Sequence, residues 1–332
     1  MKIAIIGAGS WGTALSNLLA NKGLEVSLWV REPQLYEELI KKRENTWFLP
    51  GIKLSKNINF SLNLCETVKH TKHILIAVPS QFVRNMLKRL RPHLDQRPVI
   101  ICASKGIEIL SLKPMSSVVH EELKDKMPIY AILSGPSFAK EVAQNLPTAV
   151  TIGCEDAETA KELQEMFFTP NFRVYTNKDY IGVELGGAIK NVIAIAAGIC
   201  DGLGLGTNAR AALITRGLAE MSRLGKAMGA DERTFMGLSG LGDLVLTCTG
   251  ELSRNRQLGL KIAKGEDLNT ILKNTKMVAE GVSTTKALYL LGRQKNIELP
   301  ITEQVYKVLY EKKDPKEAAK ELMTRTLKEE FY

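Results

Sequence analysis

A short apolar strand, Lys2 to Ile6, runs directly into Gly7-Ala8-Gly9-Ser10-Trp11-Gly12, and a helical stretch from Ser10 to Lys22 follows. A GxGxxG held between a strand and a helix leaves few folds open. Gly7 permits the tight turn, Gly9 lets the backbone approach a pyrophosphate, and Gly12 lets the helix pack close to the strand. The pyrophosphate then sits on the helix N-terminus, where unpaired N–H groups and the helix dipole favour negative charge. A second strand signal, Glu25 to Val30, completes the beginning of a βαβ unit.

The alternation continues. Strand signals recur at His73 to Val78, Pro98 to Cys102, Ile129 to Ser134, Ala149 to Ile152 and Arg173 to Thr176, with helical segments between most of them. That order implies a mostly parallel sheet covered on both faces. From about Asp179 strand signals fade, and helical stretches follow at 179–200, 208–228, 253–264, 280–294 and 301–311. The 332 residues suffice for two cores. The expected fold is α/β: a Rossmann-like dinucleotide-binding domain over residues 1–185, then an all-helical substrate and catalytic domain over 186–332. The boundary falls between residues 178 and 190, with one long helix leading out of the sheet domain.

Composition removes several function classes. The five cysteines are scattered, odd in number and without a CxxC, which predicts reduced thiols in a cytoplasmic protein rather than a zinc ribbon or disulfide framework. Four apolar residues before Gly7 are too few for a signal peptide. The most apolar later run, Val192 to Cys200, is bounded by Lys190, Asn191 and Asp201, short of the ~20 residues of a membrane span. The net charge of +9 is spread among acidic residues, with no basic run interleaved with aromatics. Small phosphorylated molecules account for it better than nucleic acid. His70 and His73 have a metal-compatible spacing but no further converging ligand, so no metal site is expected. Oligomeric state is open, a homodimer included.

The end of the second strand bears on cofactor choice. An NAD site usually carries Asp or Glu there to hold the ribose 2′-OH. This chain reads Trp29-Val30-Arg31-Glu32. Val30 takes the acidic position, Arg31 can pair with a 2′-phosphate, and Glu32 follows one residue late. NADPH is favoured and NADH remains usable.

The four histidines lie in polar helical or connecting stretches, so a lysine is the better candidate proton donor. Lys190 stands in Glu184-Leu-Gly-Gly-Ala-Ile-Lys190-Asn191, with Gly186, Gly187 and Ala194 as helical neighbours that leave a groove around the amine. Desolvation on an apolar helix should lower its pKa. Spacing alone equally allows a lysine snorkelling from a packed helix. Other polar residues stand against glycine-rich surroundings. Lys105 follows a strand, at the edge where ligands bind in open α/β sheets. Ser134-Gly135-Pro136-Ser137-Phe138-Ala139 also follows a strand, and Asp243 sits in a glycine turn. Ser253 reads as an N-cap before Arg254 and Asn255, which suits a phosphate. Each of these is also compatible with an ordinary turn or cap.

Taken together the blocks resemble the bacterial-type NAD(P)-dependent glycerol-3-phosphate dehydrogenases over nearly the whole chain. They include GAGSWGTA at 7–14, ASKGIE at 103–108, LSGPSFAKEV at 133–142 and ELGGAIKNVIAIAAGICDGLGLGTNARAALITRGLAEM at 184–221. They continue with GLSGLGDLVLTCT at 237–249, LSRNR at 252–256, VAEGV at 278–282 and LPITEQVY at 299–306. The resemblance implies interconversion of dihydroxyacetone phosphate and sn-glycerol 3-phosphate, a supply for glycerophospholipid synthesis, with Lys190 as acid/base. It implies substrate contacts from Lys105, Gly135, Ser137, Lys190, Asp243, Ser253, Arg254 and Asn255. It implies cofactor contacts from Ser10, Trp11, Arg31, Lys105, Ala139, Arg254, Val278 and Glu280, beside the glycines Gly7, Gly9 and Gly12. Many members carry a second basic residue where this chain has Glu32, and Arg where it has Ser283. The first departure argues against strict NADPH use, and the second weakens another phosphate contact. A hydroxy-acid dehydrogenase of the same architecture and a non-catalytic dinucleotide sensor are the alternatives.

Overall fold

The computed structural model describes residues 1–274 and 279–330. Among these the chain begins β1 (Lys2–Ile6), α1 (Ser10–Asn21), β2 (Glu25–Trp29), α2 (Pro33–Lys42), β3 (Glu44–Asn45), β4 (Leu49–Lys53), β5 (Ile58–Ser61) and α3 (Leu64–Val68). It continues β6 (His73–Ile76), α4 (Val83–Leu90), β7 (Val99–Cys102), α5 (Met115–Glu122), β8 (Ile129–Ser134), α6 (Ala139–Ala143), β9 (Thr148–Gly153), α7 (Ala157–Phe167) and β10 (Phe172–Asn177). Helices follow: α8 (Tyr180–Gly202), α9 (Gly206–Ala227), α10 (Asp243–Thr249), α11 (Arg254–Ala263), α12 (Leu268–Lys273), α13 (Glu280–Lys295), α14 (Pro300–Tyr310) and α15 (Pro315–Met323).

One eight-stranded sheet has the order β10-β9-β8-β7-β6-β1-β2-β5, and every neighbouring pair is parallel except β8 with β9. β1 shows why its sequence is an unbroken apolar run. Ile3 and Ile5 join a core with Leu15, Leu19 and Leu28 on one face, while Ala4 and Ile6 join Ile74, Ile76 and Met86 on the other. A parallel strand buried on both faces needs apolar residues at every position. The strand order reverses at β1, and in open α/β sheets that switch point is where ligands bind.

Three features depart from the sequence expectation. β5 adds an unexpected parallel edge strand, because only Ile58 and Phe60 of its four residues point inward, too short an alternation to read. A two-stranded antiparallel pair, β3 with β4, stands beside α1. The expected strand at His73 exists, but His73 itself is a buried strand residue with Nε2 3.0 Å from Glu162 Oε1, not a residue of a polar connection.

The Asp179 carboxylate caps α8 by accepting the Gly182 N–H at 2.9 Å, and its other oxygen holds Thr234 Oγ1 at 2.7 Å. From there α8 runs 23 residues, buried from Gly182 to Cys200 and wrapped by α9, α10, α11 and α13. It is long and apolar enough by composition to cross a membrane, with mean hydropathy 1.5, yet its whole apolar window is buried inside the protein. The run Val192 to Cys200 understated its length because glycines and alanines extend it on the N-terminal side. All five cysteines are free.

Candidate active site

The loops after β1, β6, β7 and β8 gather at one edge of the sheet, and α8 rises beside them. At the first, Gly7 has φ +116°, where a Cβ would stand 2.9 Å from the Ala77 carbonyl oxygen. Gly9 faces open space on the side a side chain would fill. Ser10 and Trp11 form the first turn of α1, which has no side-chain cap, so its leading N–H groups have no partner within the helix. The Trp11 indole N–H is buried without a partner among the described residues. Open glycine, uncapped N–H groups and an orphaned indole donor fit an anionic dinucleotide. Ala139 starts α6, which packs on α1.

Arg31 lies at the end of β2, 69% exposed, with Nη2 2.5 Å and Nε 2.7 Å from Glu32 Oε1. Glu32 therefore holds the guanidinium rather than standing apart from it.

A buried cluster of charged side chains lies between α8 and α10. Asp243, only 1% exposed, opens α10 and is shared by two ammoniums. Its Oδ1 is 2.5 Å from Lys190 Nζ, and its Oδ2 is 2.8 Å from Lys105 Nζ. Lys190 also donates to Thr247 Oγ1 at 2.8 Å, and that hydroxyl donates to the Asp243 carbonyl at 2.6 Å. Lys105 reaches the Gly135 carbonyl at 3.3 Å, which also accepts from Ser137 Oγ at 2.9 Å. Burial pulls Lys190 down to about 8, with Asp243 opposing and Lys105 adding to the fall. Burial pushes Asp243 up, but the two ammoniums outweigh it and hold the carboxyl below its ordinary value.

The expected groove around Lys190 is occupied by protein. Gly186 lies against the Ser239 carbonyl, and Gly187 against the Ser134 hydroxyl and the Lys105 stem. The glycines bring the sheet edge and the Ser239 turn onto α8, and that close approach delivers Lys105 and Asp243 to the amine.

One residue along α8, Asn191 Oδ1 accepts from Asn255 Nδ2 at 2.8 Å, and Asn255 Oδ1 accepts the Gly281 N–H at 3.0 Å. Ser253 caps α11 through the Arg256 N–H at 3.2 Å, so Arg254 and Asn255 form that helix's first turn, beside Asn191 of α8. Arg254 interacts electrostatically with Glu280. Glu280 opens α13 and accepts from the Ser80 N–H at 2.9 Å and Ser80 Oγ at 2.6 Å, closing on the loop after β6. Ser283 lies less than one turn farther along α13. Val278 lies outside the described residues.

Lys105, Gly135, Ser137, Lys190 and Asp243 form one connected set of contacts, joined to Asn255 through Asn191, whose Nδ2 donates to the Lys105 carbonyl at 3.4 Å, while Arg254 interacts with Glu280 and Ser253 caps the helix that carries Arg254 and Asn255. Arg31 sits apart at the β2 end. Sequence reasoning missed Thr247, Asn191 and Ser80. Thr247 stands one helical turn after Asp243, a spacing that could have flagged it.

Comparison with known proteins shows the family of the chain. Residues 2–160 match the family described as NAD-dependent glycerol-3-phosphate dehydrogenase N-terminus, and 179–320 match the C-terminus. A glycerol-3-phosphate dehydrogenase [NAD(P)+] of Solidesulfovibrio magneticus is 58% identical over 99% of this chain and 100% of its own length. One of Maridesulfovibrio salexigens is 57% identical over the same shares. The crystal structure of glycerol-3-phosphate dehydrogenase from Coxiella burnetii superposes with a TM-score of 0.94 at 42% identity, covering 98% of this chain and 99% of that one.

Proposed function

Because the chain belongs to the NAD-dependent glycerol-3-phosphate dehydrogenase family, we propose that it interconverts dihydroxyacetone phosphate and sn-glycerol 3-phosphate with NADPH or NADH, feeding glycerophospholipid synthesis. One observation carries the reading: a single buried carboxylate, Asp243, shared by two lysine ammoniums. One negative charge balances only one of the two, leaving net positive charge in a dry setting. That is the environment a carbonyl oxygen needs as it becomes an alkoxide.

A nicotinamide held there would supply the hydride that the carbonyl carbon accepts. Lys190 stabilises the growing charge and then donates its proton. With a pKa near 8, its ammonium and amine forms lie close together in free energy, so it gives a proton in reduction and takes one in oxidation. Asp243 and Thr247 fix Nζ from two sides. Lys105, Gly135 and Ser137 border the same centre. Arg254 and the first-turn N–H groups of α11, behind Ser253, take the phosphate, with Asn255 held in register by Asn191. Phosphate binding away from the reacting carbon orients it. In this reading residues 1–185 hold the cofactor, through Gly7, Gly9, Ser10, Trp11, Gly12, Arg31 and Ala139. Residues 186–332 bring the substrate, with Glu280 reaching back to the cofactor.

The test is oxidation of NADPH and NADH with dihydroxyacetone phosphate against a panel of 2-keto acids. Turnover with the phosphorylated ketone is expected. Turnover confined to the keto acids would make it a hydroxy-acid dehydrogenase, and none at all a sensor.

Cofactor choice gives a second measurement. Arg31 is exposed and its charge is shared with Glu32, so its pull on a 2′-phosphate is modest. Arg31→Ala should raise KM for NADPH by about 2- to 5-fold, in line with an exposed ion pair, and leave NADH nearly unchanged. Glu32→Arg should move preference further toward NADPH. The check is kcat/KM for the wild type and both variants with each cofactor. An equal loss with NADH would mean that Arg31 does not read the 2′-phosphate.

A further inference from the structure

Asn45, at the end of β3, is wholly buried and spends its side chain on the glycine loop. Its Nδ2 donates to the Ala8 carbonyl at 2.9 Å and to Thr13 Oγ1 at 2.8 Å, while its Oδ1 accepts the Phe48 N–H at 3.0 Å. Thr13 Oγ1 donates to the same Ala8 carbonyl at 3.3 Å. Ala8 lies between the two glycines of the turn, where backbone freedom is greatest.

In a trans peptide the C=O and the following N–H point in opposite directions. Two donors gripping the Ala8 carbonyl therefore fix the Gly9 N–H toward the opposite, open side of the loop. Were this peptide to flip, a carbonyl oxygen would face the anion instead of an N–H. The segment carrying Asn45 is itself anchored. Glu38 on α2 accepts from Trp47 Nε1 at 3.1 Å, Asn17 on α1 accepts the Ser55 N–H at 2.9 Å, and Arg43 donates to the Ile58 carbonyl at 3.1 Å.

We propose that Asn45, with Thr13, is a positioning residue that locks the Ala8–Gly9 peptide in the orientation that accepts a dinucleotide pyrophosphate. This rests on the reading that the glycine loop binds the cofactor. The clamp acts on the diphosphate and not on the ribose, so it affects NADPH and NADH alike.

Calorimetric binding of ADP and of AMP separates the clamp from general damage, since the two ligands share the adenosine and differ in the second phosphate. For Asn45→Ala the ADP Kd should rise about 5- to 10-fold and the AMP Kd should stay within about 2-fold of wild type, the scale of one or two hydrogen bonds. KM for both cofactors should rise together, with kcat at saturating cofactor and KM for dihydroxyacetone phosphate unchanged. An equal loss of AMP and ADP binding, or unchanged ADP binding, overturns the proposal. Should Asn45→Ala fail to fold, the isosteric Thr13→Val decides it, with about a 3-fold weakening of ADP expected and no change overturning the clamp. Wild-type protein that binds neither ADP nor NADPH would instead refute the cofactor site itself.

Discussion

Lys190→Ala is expected to fold, to bind NADPH, and to lose at least ~100-fold in kcat, the range of a missing general acid. Folding should survive because Asp243 keeps its second partner, Lys105, at 2.8 Å, so no buried carboxylate is orphaned. The pH profile carries the sharper signature. Reduction needs the ammonium, so the wild-type rate should fall as pH rises through about 8. Oxidation needs the amine, so its rate should rise through the same region. Measuring kcat in both directions between about pH 6 and 10 shows whether one group makes both limbs. Near-normal turnover in the variant, or a limb that survives the substitution, removes Lys190 from the role.

Asp243→Asn should be nearly as damaging, by a different route. It leaves two ammoniums beside each other without their shared counter-ion. Burial and Lys105 already lower Lys190, and Asp243 is the charge that resists them. Without it the amine form takes over at neutral pH, and reduction should lose roughly 100-fold in kcat for want of a proton. Acidification should restore part of the rate by repopulating the ammonium, whereas Lys190→Ala gains nothing from acid. Leaving a buried charge unpaired costs about 3–5 kcal/mol, less whatever the lysines regain by shedding protons, so a lower melting temperature is also expected. An Asp243→Asn enzyme with the wild-type pH limb would show that the carboxylate does not set the lysine's proton affinity.

These two predictions depend on contacts the sequence could not display. The glycine loop was legible because Gly7, Gly9 and Gly12 fall within six residues of one another. Lys190 stood out on its helix, yet helical spacing could not separate an active amine from a snorkelling one. The deciding partner, Asp243, arrives 53 residues later. Gly186 and Gly187 suggested a groove, but a missing Cβ leaves room for protein as readily as for ligand, and here protein takes it. Asn191 and Asn255 meet across 64 residues, and Ser80 and Glu280 across 200. An amide or hydroxyl that works only through such a partner carries no local mark. The central strands were readable because both faces are buried, while the short β3, β4 and β5 were not, β5 burying only two side chains.

The long core helix α8 imposes an order on how this protein can be made. β8 and β9 cover its beginning, but the rest of its apolar surface stays open until α9, α10, α11 and α13 close over it, and all four lie downstream. The last of them ends at Lys295, 93 residues beyond Gly202. At ~5–20 residues per second of synthesis, that stretch stays uncovered on the ribosome for about 5–20 s. A segment with the hydropathy of a membrane span is then displayed to the translation machinery, to neighbouring nascent chains and to lipid alike. The same packing that buries the Lys190 amine thus leaves the half-finished chain with a long apolar surface uncovered.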